Sequence, residues 1–217
     1  TPDGLIASSW HPMVGQGRLQ LPIQEDGTAL VVHSLCRHLN MTRDVELVHD
    51  LYWEFVRPAA DFLMLFRDHN TGLPHASHDL WEEQHGVFLF TCSTVYAALE
   101  AAAELTESLG EAEQARLYRI GAAEIRQGVS QHFYDPETQR FAFMLHVAED
   151  GTLRRDMRLD SSMAGVFTFG MLPAGDPRVV NTMRALQRNL QNRLSVGGVA
   201  RHTDDYYHHV NGNYEEC

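Results

Sequence analysis

The sequence is short of cysteine, lacks any cluster of basic residues and has no long apolar run, and each gap removes a class of protein. Its three cysteines are Cys36, Cys92 and Cys217. No Cys-x-x-Cys pair occurs among them, so a zinc knuckle or dithiol redox centre is excluded. Cys36 and Cys92 fall in apolar stretches of helical period, where a reduced thiol packs as a small hydrophobe. That usage points to a reducing compartment, the cytoplasm. Lys and Arg total 17 against 29 Asp and Glu, a formal net charge of -12. The pair Arg154-Arg155 stands alone between Asp150 and Asp156. A polyanion would be repelled rather than gripped, so nucleic acid is excluded as a partner and a neutral substrate suits the balance. No apolar run approaches the roughly 20 residues that cross a bilayer, which argues against a membrane helix. The start, Thr1-Pro2-Asp3-Gly4, has neither the basic nor the apolar part of a secretory leader, although a segment preceding Thr1 could carry one. No strict internal repeat is found.

What is present is a chain long enough to bury one sizeable core, with one domain as its natural organisation. Residues 1–26 are rich in Gly and Pro and read as a loop ordered around Trp10. From Gly27 to about Asn40, Ala29, Leu30, Val32, Leu35, Cys36 and Leu39 recur at helical spacing. A second helix is predicted from Asp44 to Asp68, opened by an acidic cap and interrupted near Pro58. Trp53, Phe55, Phe62 and Phe66 lie at helical spacing within it and read as core. Asn70-Thr71-Gly72-Leu73-Pro74 is turn chemistry. Gly86–Leu109 reads as a helix buried on most sides, and Glu111–Phe133 as its amphipathic partner. The period then changes. Arg140–Val147 alternates and Asp150-Gly151 follows, which predicts a short β-hairpin near 140–156. Helices return at about Ser161–Met171 and Pro177–Asn192. Paired helices joined by short Gly/Pro turns make the chain mainly α, built of antiparallel hairpins.

The segment Ser77-His78-Asp79-Leu80-Trp81-Glu82-Glu83 concentrates carboxylates beside an indole. Glycoside hydrolysis needs one carboxylic acid to protonate the glycosidic oxygen and a second carboxylate across the sugar. The acid needs a raised pKa, which an aromatic ring or a neighbouring carboxylate supplies. By spacing alone, Asp79-x-x-Glu82 before an apolar run is equally a helix capping box, and the more common reading of such a pattern.

The wording of the segment separates these readings. Gly72-Leu73-Pro74, Ser77–Glu83, Gly86 and Phe90-Thr91 together resemble the glucoamylase family, family-15 glycoside hydrolases. The resemblance implies that Glu82 is the general acid and Asp79 its electrostatic tuner. It implies that Glu83 contacts the sugar in the leaving-group subsite, and Trp81 offers a surface for sugar rings. His78 stands where the family usually has an aromatic residue. Gln20-Leu21-Pro22-Ile23-Gln24-Glu25-Asp26-Gly27-Thr28-Ala29-Leu30 is similar to the family's segment opening an inner helix, with Gln20 in a region where some members place a Trp. Gly198–Tyr207 is similar to a substrate loop in which Arg201 would bond sugar hydroxyls, while Asp205 and Tyr207 would hold that loop.

The implied fold is part of an (α/α)6 toroid. Residues 1–217 correspond to the central portion of the catalytic domain, with the segment gripping the non-reducing-end sugar and the segment carrying the general base both outside it. The implied reaction is hydrolysis of α-glucosidic bonds from the non-reducing end with inversion and without a cofactor. The linkage stays open among maltose, isomaltose and trehalose types. A non-catalytic carbohydrate-binding or regulatory relative on the same scaffold is the alternative, and an oligomer or partner chain completing the barrel is a further one. His75, His78 and His85 lie near Asp79 and Glu82, and Asp204 and Asp205 near His208 and His209, but neither set has a recognised metal-ligand spacing. No metal is expected.

Overall fold

The computed structural model describes residues 13–15, 18–20, 23–192 and 197–205. Within the stretch predicted to be a loop, β1 (Met13–Gly15) and β2 (Arg18–Gln20) pair as an antiparallel hairpin. Helix α1 (Glu25–Thr42) follows and starts two residues earlier than its apolar period suggests. Glu25 and Asp26 form its acidic first turn, where the helix dipole favours negative charge, and both are buried. Arg43 ends the helix in the left-handed region, its N–H donating to the Leu39 carbonyl.

Asp44 caps α2 (Val45–Leu51), accepting the Leu47 N–H at 3.2 Å as its acidic residue type requires. The predicted interruption at Pro58 takes the form of a π turn, Tyr52–Val56, ahead of α3 (Arg57–Leu65). Proline has no N–H for the carbonyl four residues back, and the wider turn absorbs that loss. The turn also shifts the helical phase. Tyr52 and Val56 point inward, whereas Trp53 is 56% exposed, against the expectation that it lies in the core. Arg57 covers its ring at 5.1 Å.

Strand β3 (Ser77–His78) and strand β4 (His85–Phe88) are antiparallel neighbours. Helix α4 therefore runs Leu89–Ser108 rather than beginning at Gly86. Gly86 belongs to the strand because its backbone approaches a neighbouring strand closely; a Cβ there would lie 2.9 Å from the Leu145 carbonyl oxygen. Most positions of α4 are buried, Leu99 and Ala102 completely, as its broad apolar face predicts. Gly110, at φ 87°, turns the chain into α5 (Ala112–His132), which packs along α4 as an antiparallel partner. Helix α1 packs against another side of α4, and α3 touches α1, α4 and α5. Polar ties join these layers. The Tyr52 hydroxyl donates to Thr106 at 3.1 Å, and Arg67, itself buried, pairs with Glu124 at 2.9 Å.

The alternating stretch 140–147 is not one strand. β5 (Tyr134–Asp135) pairs with β6 (Arg140–Phe141), while β7 (Met144–Val147) joins β4 on one side and β8 (Leu153–Asp156) on the other. Ala142 marks the change, its N–H going to the Phe133 carbonyl at 2.8 Å. The resulting sheet has the order β3-β4-β7-β8, so the predicted hairpin forms half of a four-stranded sheet. A 3-10 turn at Ser161–Ala164 leads into the short α6 (Gly165–Thr168), and α7 (Pro177–Leu190) carries Asp176 as its cap. Cys36 and Cys92 are buried free thiols, as their apolar settings imply. Burial pushes the Cys36 thiol up to about 12 and the Cys92 thiol well above its ordinary value. No helix among the described residues is long and apolar enough to cross a membrane.

Candidate active site

The six residues Asp79–Gln84 form the loop between β3 and β4, not a helix N-terminus. The capping-box reading of Asp79-x-x-Glu82 is therefore overturned, because the chain after Gln84 enters a paired strand. Asp79 instead closes the loop on itself. Its N–H donates to the Gln84 carbonyl at 3.0 Å, and its Oδ1 accepts the N–H groups of Glu83 at 2.7 Å and Gln84 at 2.8 Å. The Asp79 carbonyl accepts the Glu82 N–H at 3.0 Å and the Gln24 side-chain amide at 2.5 Å. The His78 N–H donates to the Ile23 carbonyl at 2.9 Å. The loop is thus seated on the start of α1, the segment whose Gln, Asp and Gly the sequence reading singled out.

Glu82 sits exposed on this loop with φ 60°, one of four non-glycine residues at positive φ among those described. A Glu gains nothing intrinsic there, since a Cβ makes the left-handed region unfavourable by about 1–2 kcal/mol. Such strain, when the surroundings hold it, is typical of a functional position.

Beneath the loop lies a layer of buried carboxylates. Glu25, Asp26 and Asp79 are 1%, 3% and 2% exposed. Both oxygens of Glu25 and one oxygen each of Asp26 and Asp79 make no hydrogen bond among the described residues. Burial pushes the Glu25 carboxyl up to about 8, opposed by the nearby Ser77 hydroxyl and reinforced by the charge of Asp26. Burial likewise raises Asp26 to about 6, opposed by the Gly27 N–H and reinforced by the charges of Asp79 and Glu82. The sequence reading noted the Gln24–Gly27 segment but not this layer. An acidic first turn on a helix is ordinarily solvated, and nothing local to α1 signals its burial.

A second group flanks the loop. The Trp81 indole N–H donates to Asp160 Oδ2 at 2.9 Å, and the Arg201 guanidinium lies 4.9 Å above the indole ring. Arg201 forks onto Asp205 at 2.7 and 2.5 Å and reaches Glu83 Oε1 at 3.3 Å. His202 Nε2 is 3.2 Å from the other oxygen of Glu83. The carboxylates beside Arg201 push its pKa further up, Asp205 foremost. The structure therefore brings Trp81, Glu83, Arg201 and Asp205 into one contact group adjoining Asp79 and Glu82. Tyr207 lies outside the described residues.

Asp160 and His202 were given no role by sequence reading. Asp160 reads there only as a residue ahead of a predicted helix. Nothing in the residues around it signals a partner 79 positions away.

The histidines near the loop do not converge. His75 lies edge-on to Phe66, and His78 faces His85 across the β3–β4 pair at 5.2 Å between ring centres. Burial lowers the His85 pKa, with His78 reinforcing it. Among the described residues no three His, Cys, Asp or Glu side chains form a group that could hold a metal ion. A cleft of about 350 Å³ between α1, α2 and α4, walled by Cys36, Leu39, Val45 and Leu105, includes no residue of the acid loop.

The sequence profile of the glycosyl hydrolases family 15 matches residues 11–216. The chain belongs to this family. An uncharacterized glycosyl hydrolase of Methanocaldococcus jannaschii is 26% identical over 186 residues, covering 85% of this chain and 28% of that protein. A trehalase of Mycobacterium tuberculosis is 31% identical over 144 residues, 64% of this chain and 19% of its own length. The crystal structure of a bacterial glucoamylase complexed with acarbose superposes with a TM-score of 0.69 at 20% identity, over 86% of this chain and 28% of that one. The fold is accordingly that of the glucoamylase-like (α/α)6 glycosidases. The chain spans less than a third of the length of these two relatives.

Proposed function

We propose that these residues form the acid side of the active site of a glycoside hydrolase that cleaves α-linked glucosides from the non-reducing end with inversion. The observation that carries the reading is the acid loop. Glu82 is exposed in a left-handed backbone conformation, the loop behind it is closed by Asp79, and Trp81, Glu83 and Arg201 lie to one side. In the proposed reaction the Glu82 carboxyl gives its proton to the glycosidic oxygen as the bond to the anomeric carbon breaks. Water attacks that carbon from the opposite face and loses its proton to a second carboxylate, so the released glucose is β. The family resemblance puts that second carboxylate outside this chain. Asp79 and Asp26 are buried carboxyl groups beneath the loop. Trp81 gives an apolar face to a sugar ring, and Arg201 with Glu83 gives polar groups to its hydroxyls.

The test is glucose release from maltotriose, isomaltose and trehalose by this chain joined to the segment that carries the second carboxylate, with the anomer followed by NMR and Glu82→Gln as the control. β-Glucose that disappears in the variant is the expected result. α-Glucose as first product would overturn inversion, and undiminished release by Glu82→Gln would overturn the acid assignment.

A further inference from the structure

We propose that Asp160 is a positioning residue of this site, fixing the Trp81 indole and holding the acid loop in register with the segment that carries Arg201. The inference rests on the functional reading above, in which Trp81 meets the sugar.

Asp160 is 1% exposed and divides its two carboxylate oxygens between two tasks. Oδ1 accepts the Ser162 N–H at 2.8 Å, capping the 3-10 turn. That task alone would be met by Ser, Thr or Asn, none of which brings a charge into the interior. Oδ2 goes to the Trp81 indole N–H at 2.9 Å, across 79 residues of sequence. Desolvation raises the Asp160 pKa, while its bonds to Ser162 and Trp81 and the nearby His202 favour its charged form.

The backbone around Asp160 makes the third connection. Asp160 forms an antiparallel bridge with His202. The Ser161 N–H donates to the Arg201 carbonyl at 2.7 Å, and the Thr203 N–H to the Leu159 carbonyl at 2.9 Å. One short paired segment therefore holds Asp160 and Arg201 as neighbours. Asp160 bonds the edge of the same indole whose face Arg201 covers at 4.9 Å. Turning the indole about its own axis breaks the bond to Asp160 and uncovers the guanidinium together. The Asp160 carboxylate thereby ties the indole of the acid loop to the segment carrying Arg201, alongside the Arg201–Glu83 contact.

The discriminating variant is Asp160→Ser. Serine caps the turn well but is too short to reach Trp81. The readout is the ¹H–¹⁵N cross-peak of the Trp81 indole, identified by its loss in Trp81→Phe. In the unaltered chain this indole proton is expected to exchange slowly with solvent. In Asp160→Ser its peak should shift and its exchange accelerate about tenfold, as for loss of one charge-assisted hydrogen bond. Maltose titrated onto the same peak should bind about tenfold more weakly in the variant. An unmoved peak in folded Asp160→Ser, or unchanged maltose affinity, would overturn the proposal. If the variant does not fold, rapid exchange of the Trp81 indole proton in the unaltered chain overturns it equally, and slow exchange supports it. Failure of the functional reading looks different: maltose then leaves the peak unmoved in the unaltered chain while the Asp160→Ser shift persists.

Discussion

Asp79 Oδ1 accepts the backbone N–H of Glu83 at 2.7 Å, so the carboxylate ahead of the proposed acid holds the chain that follows it. With the Gln84 N–H on the same oxygen, one side-chain atom fixes both ends of the loop. Any electrostatic role of Asp79 is therefore inseparable from its role in backbone geometry. Asp79→Asn retains an oxygen for both amides and should cost less than about 1 kcal/mol. Asp79→Ala leaves two backbone donors without that acceptor and should cost about 1–3 kcal/mol. Urea denaturation of the two variants measures this, and equal losses would refute the loop-closing role.

The positive φ of Glu82 makes a second prediction that needs no substrate. Glu82→Ala and Glu82→Gly both delete the side chain, but only glycine occupies φ 60° without cost. The glycine variant should be more stable than the alanine variant by about 1 kcal/mol, despite its more flexible unfolded chain. Both should be inactive if Glu82 is the acid. Thermal melts decide the first point, and an alanine variant that melts higher would mean the loop relaxes when the side chain is lost.

Glu25 links the buried layer to pH. Its folded pKa of about 8 lies above the ordinary 4.5, so between these values the folded chain holds a proton that the unfolded chain has released. Folding then binds protons, and stability from this group falls as pH rises through that window. It is fully present below about pH 4.5. Asp26, raised to about 6, acts in the same direction over a lower range. Glu25→Gln removes the titration, so its advantage over the unaltered chain should grow by roughly 2–4 kcal/mol from pH 5 to pH 8. Parallel stability curves in urea would show that Glu25 titrates normally in the folded state.

The sequence carried the helical pairing further than it carried the strands. Leu99 and Ala102 of α4 and the Asp44 cap of α2 follow from local pattern, because helical bonds join residues four apart. Strand assignments depend on distant partners. Gly86–Phe88 reads as the first turn of a helix until β7 is there to pair with it, and Arg140–Val147 reads as one strand until its halves find different neighbours. The candidate site shows the same division. The acid-loop wording is compact enough to be legible in one dimension. Asp160 meets Trp81, and the buried Glu25 lies beside Ser77, only through the tertiary fold.

Arg201 supports the most direct test of the flanking group. Its guanidinium bonds Asp205 through two nitrogens, reaches Glu83 and stacks on Trp81, a combination that depends on a planar fork. Lysine keeps the charge but presents a single compact ammonium, which cannot make the paired contact and cover the ring together. If charge alone mattered, Arg201→Lys would behave as the unaltered chain. If the fork positions Glu83 and Trp81 for sugar, affinity should fall about tenfold or more while thermal stability drops by less than about 1 kcal/mol, since the pair is partly solvated. Steady-state kinetics on maltotriose should then show a raised KM with a smaller change in kcat. A reduced kcat at unchanged KM would instead place Arg201 in contact with the transition state.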